Sequence, residues 1–194
     1  RLQPHTAALP GIQSVALAED VPLVEDGTSW AAIAVPGYAA TRGENLMIYR
    51  NLVSPGYFSL MRIPLLAGRE FNAADRQGAP FVALVNETFA RRYFGTTEAT
   101  GHTFSIWNGA RTLTVVGVVR DIKVQRLDEA ARPYFYVSLP QFLSAGTGLA
   151  IHLRAANGDP LAHLPALRAA VRELDPNVPL FEAGTLEDYA SAAR

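Results

Sequence analysis

The apolar runs of this chain are short, and they switch irregularly between the alternation of strands and the three-to-four spacing of helices. "QSVALA" (Gln13–Ala18) follows Pro10-Gly11 and reads as a first strand. "WAAIAV" (Trp30–Val35), stopped by Pro36-Gly37, and "LMIYRNLV" (Leu46–Val53) read as two more. At Ser54 the period changes. Ser54 is expected to cap a short helix with Pro55 at its first position. Tyr57, Phe58 and Met61 then share one side, Pro64 stops the helix, and Gly68 gives a turn before Arg69 and Phe71.

The same irregular alternation continues. Phe81–Val85 reads as a buried strand, and Asn86 caps a helix, "NETFARRYF", that Gly95 ends. Phe89 and Tyr93 are four apart and face the same way. His102–Trp107 and Thr112–Arg120 flank "NGA" as a hairpin, with Gly117 marking a bulge or a close backbone approach. Pro133–Leu139 and Gly148–Ala155 add two strands. Asp159-Pro160 opens a helical region with a stripe of Leu164, Leu167, Val171 and Leu174. Pro165 places the start of the regular helix near Leu164, and Asp175-Pro176 ends it. A strand over Val178–Glu182 and a short helix from Thr185 complete the expectation. Without steady βαβ alternation, and with no internal repeat, the pattern points to an α+β fold.

Composition narrows the function. A net charge of -1 and scattered aromatic residues give no footprint for nucleic acid or an anionic membrane. The absence of cysteine removes disulfides, thiolate nucleophiles and cysteine-based zinc sites. Gly27–Thr41 and Pro133–Ile151 carry no Asp, Glu, Lys, Arg or His. The second approaches the length of a membrane span, but Pro133, Pro140, Gly146 and Gly148 argue for strands and a turn. The N-terminal "RLQPHTAALPG" lacks signal-peptide character, and the chain as given is expected to be soluble, with origin in a longer membrane protein left open.

Candidate chemistry is sparse. Ser54 has Gly56 on one side but Leu52 on the other, so it lacks the two-sided glycine pattern of a hydrolase elbow. His5, His102, His152 and His163 show no helical metal spacing, and His152, beside Arg154 in "AIHLR", is expected to face solvent. The adjacent carboxylates Glu19-Asp20, Glu25-Asp26, Asp128-Glu129 and Glu187-Asp188 read as solvated charge, and Asp121 as the start of a turn. "GTG" (Gly146–Gly148) lacks the lysine of a phosphate loop, and the sequon Asn86-Glu87-Thr88 is explained by the helix cap. Arg69, Arg91 and Arg92 are expected to pair with carboxylates or lie along a helix, and Tyr57 and Phe58 to pack in the core. No catalytic, metal or cofactor residue is assigned.

"VSPGYFSLMRIPLLAGREF", "FVALVNETFARRYFG", "LTVVGVVRDIK", "RPYFYVSLPQ" and "DPLAHLPALRAAVRELDPNVPLFEAGTLEDY" follow one another in the chain. Together they resemble the periplasmic core domain of MacB/FtsX-type ABC transporter permeases, from about Tyr49 to the end, and "LPGIQSVALAEDVPL" fits the family's expected start. The resemblance implies a two-lobed domain: a porter-like α/β part from residues 1–72 plus 145–194, and an inserted strand-rich part from 73–144. It implies a non-enzymatic place on the periplasmic side of the bacterial inner membrane, between transmembrane helices of the same parent chain. A cytoplasmic ATPase, a second permease copy and a periplasmic protein are the implied partners, with no nucleic acid and no cofactor. ATP-driven motion would pass through the helices to this domain. The other reading is a binding module for a hydrophobic peptide, lipid or drug between the lobes. If Phe89 is core as its spacing implies, Phe89→Ala will cost about 3–5 kcal/mol in denaturant unfolding, whereas a near-neutral result would place the ring on an exposed surface.

Overall fold

A computed structural model describes residues 2–24 and 28–193. Among the described residues nine strands form one sheet: β1 (Ile12–Ala18), β2 (Trp30–Ala34), β3 (Met47–Val53), β4 (Leu65–Gly68), β5 (Val82–Asn86), β6 (Thr103–Ile106), β7 (Arg111–Val119), β8 (Tyr134–Ser138) and β9 (Ala150–Ala155). The helices are α1 (Leu2–Ala7), α2 (Tyr57–Met61), α3 (Glu87–Phe94), α4 (Leu139–Phe142), α5 (Leu164–Leu174) and α6 (Leu186–Ala192). The α+β expectation holds.

The strand order is β2-β6-β7-β5-β8-β3-β1-β9, and β2 also pairs with β3. Six strands therefore close into a ring. Two strands make closure possible by splitting an edge. β3 gives its first residues to β2 (Tyr49 opposite Trp30) and its last to β1 (Val53 opposite Ala18). β7 gives its first residues to β6 and its last to β4, where Gly68 faces Gly117. A Cβ on Gly117 would lie 2.4 Å from the Arg69 carbonyl oxygen, so this is the close approach its sequence context suggested. The pairing with β5 also skips a residue here, with Ala83 opposite Val115 and Leu84 opposite Gly117, so β7 carries an extra residue at Val116.

Alternation sorts the side chains to two cores. Ile33, Ile48, Ala83, Phe104, Leu113 and Phe135 come from all six ring strands and form one buried cluster, the ring interior. α3 packs into it through Phe89, whose ring lies 4.7 Å from Tyr93 and 5.1 Å from Phe104. On the outer face Val53, Leu84, Tyr134 and Tyr136 meet Tyr57 and Phe58 of α2. Each core draws on residues 12–72 and on residues 73–144, and the sheet passes through both segments.

The helix ends separate correct from incorrect expectations. Asn86 does cap α3: its Oδ1 accepts from the N–H groups of Phe89 and Tyr134, each at 2.9 Å. Its Nδ2 donates to the Arg132 carbonyl at 2.8 Å. The sequon asparagine is thus buried and engaged. Asp121 also serves α3, accepting from the Thr88 hydroxyl at 2.6 Å. Pro160–His163 forms a 3-10 turn, and α5 starts at Leu164 as Pro165 required.

Ser54 is not a cap. α2 begins later, after Gly56 in the left-handed region (φ 85), without a side-chain cap. Ser54 is instead buried between strands, where its Oγ accepts from the Leu17 N–H at 2.9 Å and its own N–H donates to the Leu17 carbonyl. No strand forms over 178–182, where Val178 and Phe181 are exposed and meet no sheet edge. α6 follows with a capping box between Thr185 and Asp188. Ser54→Ala will leave the buried Leu17 N–H without its acceptor. It is expected to cost about 1–3 kcal/mol in chemical denaturation; an unchanged midpoint would show that this link between β1 and β3 is dispensable.

Candidate functional site

The residues singled out for chemistry do not converge. Ser54 lies under β1, and His102 packs against Phe94 at 4.7 Å. His163 sits beside Gly11, where a Cβ would approach its ring to 2.6 Å. The His5 side chain lies outside the described residues, as do Glu25 and Asp26. Arg69 makes two contacts to Asp75 (2.7 and 2.8 Å), Arg91 pairs with Glu87 at 2.9 Å, and Arg92 with Glu44 at 2.8 Å. These are structural pairings, as expected of such arginines. Among the described residues no group of three or more His, Asp or Glu is placed to hold a metal ion.

His152 contradicts the sequence expectation. Its face of β9 is covered by α2, so the ring is buried and stands edge-on to Tyr57 at 5.6 Å. Arg154, on the same face, donates to the Leu60 carbonyl at 2.6 Å and ties β9 to the end of α2. Burial pulls His152 down to about 4 and keeps it neutral near neutral pH.

The carboxylate pair Glu19-Asp20 is not simply solvated either. Adjacent residues of an extended segment point to opposite faces. Asp20 turns outward, where it is buried against a space of about 10 Å³ lined by Asn51, Tyr57, Tyr134 and Tyr136. Asn51 reproduces strand pairing beside it, accepting from the Asp20 N–H at 3.0 Å and donating to the Asp20 carbonyl at 2.9 Å. Burial pushes the Asp20 carboxyl up to about 6; the Ser29 N–H at 2.8 Å pulls it back, and the Glu19 charge adds to the rise. Glu129, too, is engaged: it accepts from the N–H groups of Val124 and Gln125 and pairs with Arg132 at 3.1 Å.

Glu19 turns the other way, to the mouth of the ring. β5 and β7 run parallel, β8 runs against β5, and β3 runs with β8. α3 therefore leaves at one end of the ring. The end of β8, α4 and the β6–β7 turn lie at the other. A recess of about 210 Å³ opens at this second end. Its walls are Leu52, Ile106, Val137 and Phe142, with Trp107, Ser144 and Thr147 among its further lining residues. Arg50 lies between Ile48 and Leu52 on the inward face of β3, and its guanidinium pairs with Glu19 at the recess. Trp107 is 46% exposed, sits 5.8 Å from Phe142, and holds φ at 53°, a rare conformation for so large a side chain. Sequence reasoning missed this site. The one available signal was Arg50, a charge at an alternate position of an otherwise apolar strand face.

The chain belongs to the family of MacB-like periplasmic core domains, whose model matches residues 2–174. The match includes the N-terminal stretch "LPGIQSVALAEDVPL", which fits the expected start, and leaves residues 175–194 outside it. The chain is 31% identical over 105 residues to the Macrolide export ATP-binding/permease protein MacB of Pasteurella multocida (strain Pm70), covering 54% of this chain and 16% of that protein. It is similar in fold to the periplasmic region of MacB from Actinobacillus actinomycetemcomitans, at 18% identity and a TM-score of 0.61, over 89% of this chain and 72% of that one. It is also similar to the extracellular domain of the noncanonic ABC-type transporter YknZ from Gram-positive bacteria, at 14% identity and a TM-score of 0.57, over 91% and 81% of the two chains. Among the described residues no helix is long and apolar enough to cross a membrane.

Two of the buried ionisable groups, Asp20 and His152, make a signed prediction. Asp20 has a raised folded pKa, so the folded state holds more protons and stability falls as pH rises from about 4 to 6. His152 has a lowered one, so the unfolded state holds more protons and stability rises from about 4 to 6.5. The slopes oppose each other. Asp20→Asn will expose the rising His152 slope and His152→Phe the falling Asp20 slope, each on the order of 1–3 kcal/mol across the window. Parallel pH profiles for both variants and the parent sequence, measured by urea unfolding, would refute the assignment.

Proposed function

We propose that this chain is the extracytoplasmic segment of an ABC transporter permease and passes ATP-driven motion to a transported substrate or a periplasmic partner. The observation that carries the reading is the family match over residues 2–174. In this reading the transmembrane helices belong to the same parent chain, the ATPase is cytoplasmic, and a second permease copy faces this one. The domain acts mechanically and catalyses nothing.

The division into 1–72 plus 145–194 and 73–144 enters as a division of sequence rather than of motion. β3 pairs with β8, and β4 with β7, across that division. Sliding one part over the other would break these ladders and leave buried backbone groups unpaired. The proposed domain therefore moves as one lever, biased by contacts that differ between two states.

The absence of cysteine in this segment gives a clean test. A single cysteine placed at the exposed Ala145 of the parent chain is expected to react with a membrane-impermeant maleimide in cells whose inner membrane is intact. Labelling only after the inner membrane is disrupted would overturn the extracytoplasmic placement. Spin labels at the same position in two reconstituted copies are expected to change separation on ATP binding; an unchanged separation would overturn the coupling.

A further inference from the structure

We propose that the mouth of the strand ring is a binding site for a small uncharged amide carrying one branched or aromatic apolar group, the chemistry of a single peptide unit. The inference goes beyond the permease reading and does not rest on it. The barrel mouth is a favoured place for ligands because strands fix its walls while loops leave one end open. Here α3 fills the opposite end, and the recess at the mouth keeps about 210 Å³. That is below the roughly 300–1,000 Å³ of pockets for drug-sized ligands. It has room for one side-chain-sized group and not for an acyl chain.

The lining sets the chemistry. Leu52, Ile106, Val137 and Phe142 reward an apolar group. Arg50 brings a guanidinium with five N–H donors to the same space. Among the described residues only one of its hydrogen bonds is made, to Glu19, and its buried Nε–H has no partner. A ligand carbonyl can take up this spare donor capacity. Because Glu19 already balances the Arg50 charge, a ligand carboxylate would lose hydration without gaining an unpaired counter-charge. An uncharged acceptor avoids that loss. Trp107, held in an uncommon backbone conformation at the rim, supplies an exposed aromatic face for the ligand's outer side.

The test is a two-dimensional NMR titration of the isotope-labelled 194-residue chain with N-acetyl-leucinamide, and with N-acetyl-leucine as the charged control. Saturable shifts of the Arg50 Nε–H and Trp107 indole signals are expected with the amide, and roughly tenfold weaker binding with the acid. Thr147→Trp, at the rim, is expected to close the recess and abolish the shifts while the rest of the spectrum stays dispersed. Arg50→Lys keeps a cation beside Glu19 but loses the planar fork, and is expected to weaken binding. No saturable shift up to the amide's solubility limit, equal binding of the acid, or unchanged binding in Thr147→Trp would each overturn the proposal.

Discussion

The ring depends on β2, which pairs with β3 by one edge and reaches β6 by the other. Only two residue pairs make the second junction, Ile33 with Ile106 and Ala34 with Ser105. Both isoleucines are buried in the interior cluster, so hydrophobic contact reinforces a short ladder. Closure removes the open edges that β2 and β6 would otherwise present. It also obliges β3 and β7 to divide their outer edges between partners. At β7 this division brings β4 so close that Gly68 and Gly117 must both lack a Cβ: one on Gly68 would lie 2.2 Å from the Val116 carbonyl oxygen. The glycine turn and the glycine inside "TLTVVGVVR" are two halves of one constraint.

Much of this architecture was legible where local chemistry determines the outcome. Asn86, Gly95, Pro165 and the "NGA" turn act within a few residues of themselves, and each expectation about them held. Three of the failures were nonlocal. Ser54 has the chemistry of a cap, but β1 brings the Leu17 N–H to it across the sheet, and a buried donor needs its acceptor more than an exposed helix end does. His152 alternates as a solvent-facing residue would, yet alternation only says that two faces differ. It cannot say that α2 covers the second. The run after Asp175 has strand-like residues, but strand formation needs a partner edge, and the sheet offers it none.

The pair Glu19-Asp20 shows why the site itself was hidden. As sequence neighbours the two carboxylates look alike. In the fold they belong to different cores, Glu19 to the ring mouth and Asp20 to the outer aromatic cluster. Their partners on β3 are adjacent as well: Arg50 faces inward to Glu19, while Asn51 faces outward beside Asp20. The register of β1 and β3, with Ala18 opposite Val53, thus sends a charge pair inside and, outside, a side-chain amide that hydrogen-bonds the Asp20 main chain. A one-residue slip of β3 would turn Arg50 out toward the tyrosines and Asn51 in toward Glu19, leaving Glu19 without its guanidinium.

That register links the mechanical and binding readings. A domain that transmits force must resist shear, and a closed ring with both faces packed does so. The same closure leaves one end that side chains do not fill, because α3 occupies only the other. An inward arginine at that end is tolerable only while Glu19 neutralises it. Apolar packing alone would not require such a pair, since a hydrophobic residue at position 50 would fill the mouth without a desolvation cost. The ion pair, the open volume and the exposed Trp107 are what the proposed binding rests on, and the paired strands of the ring are the scaffold of the proposed lever.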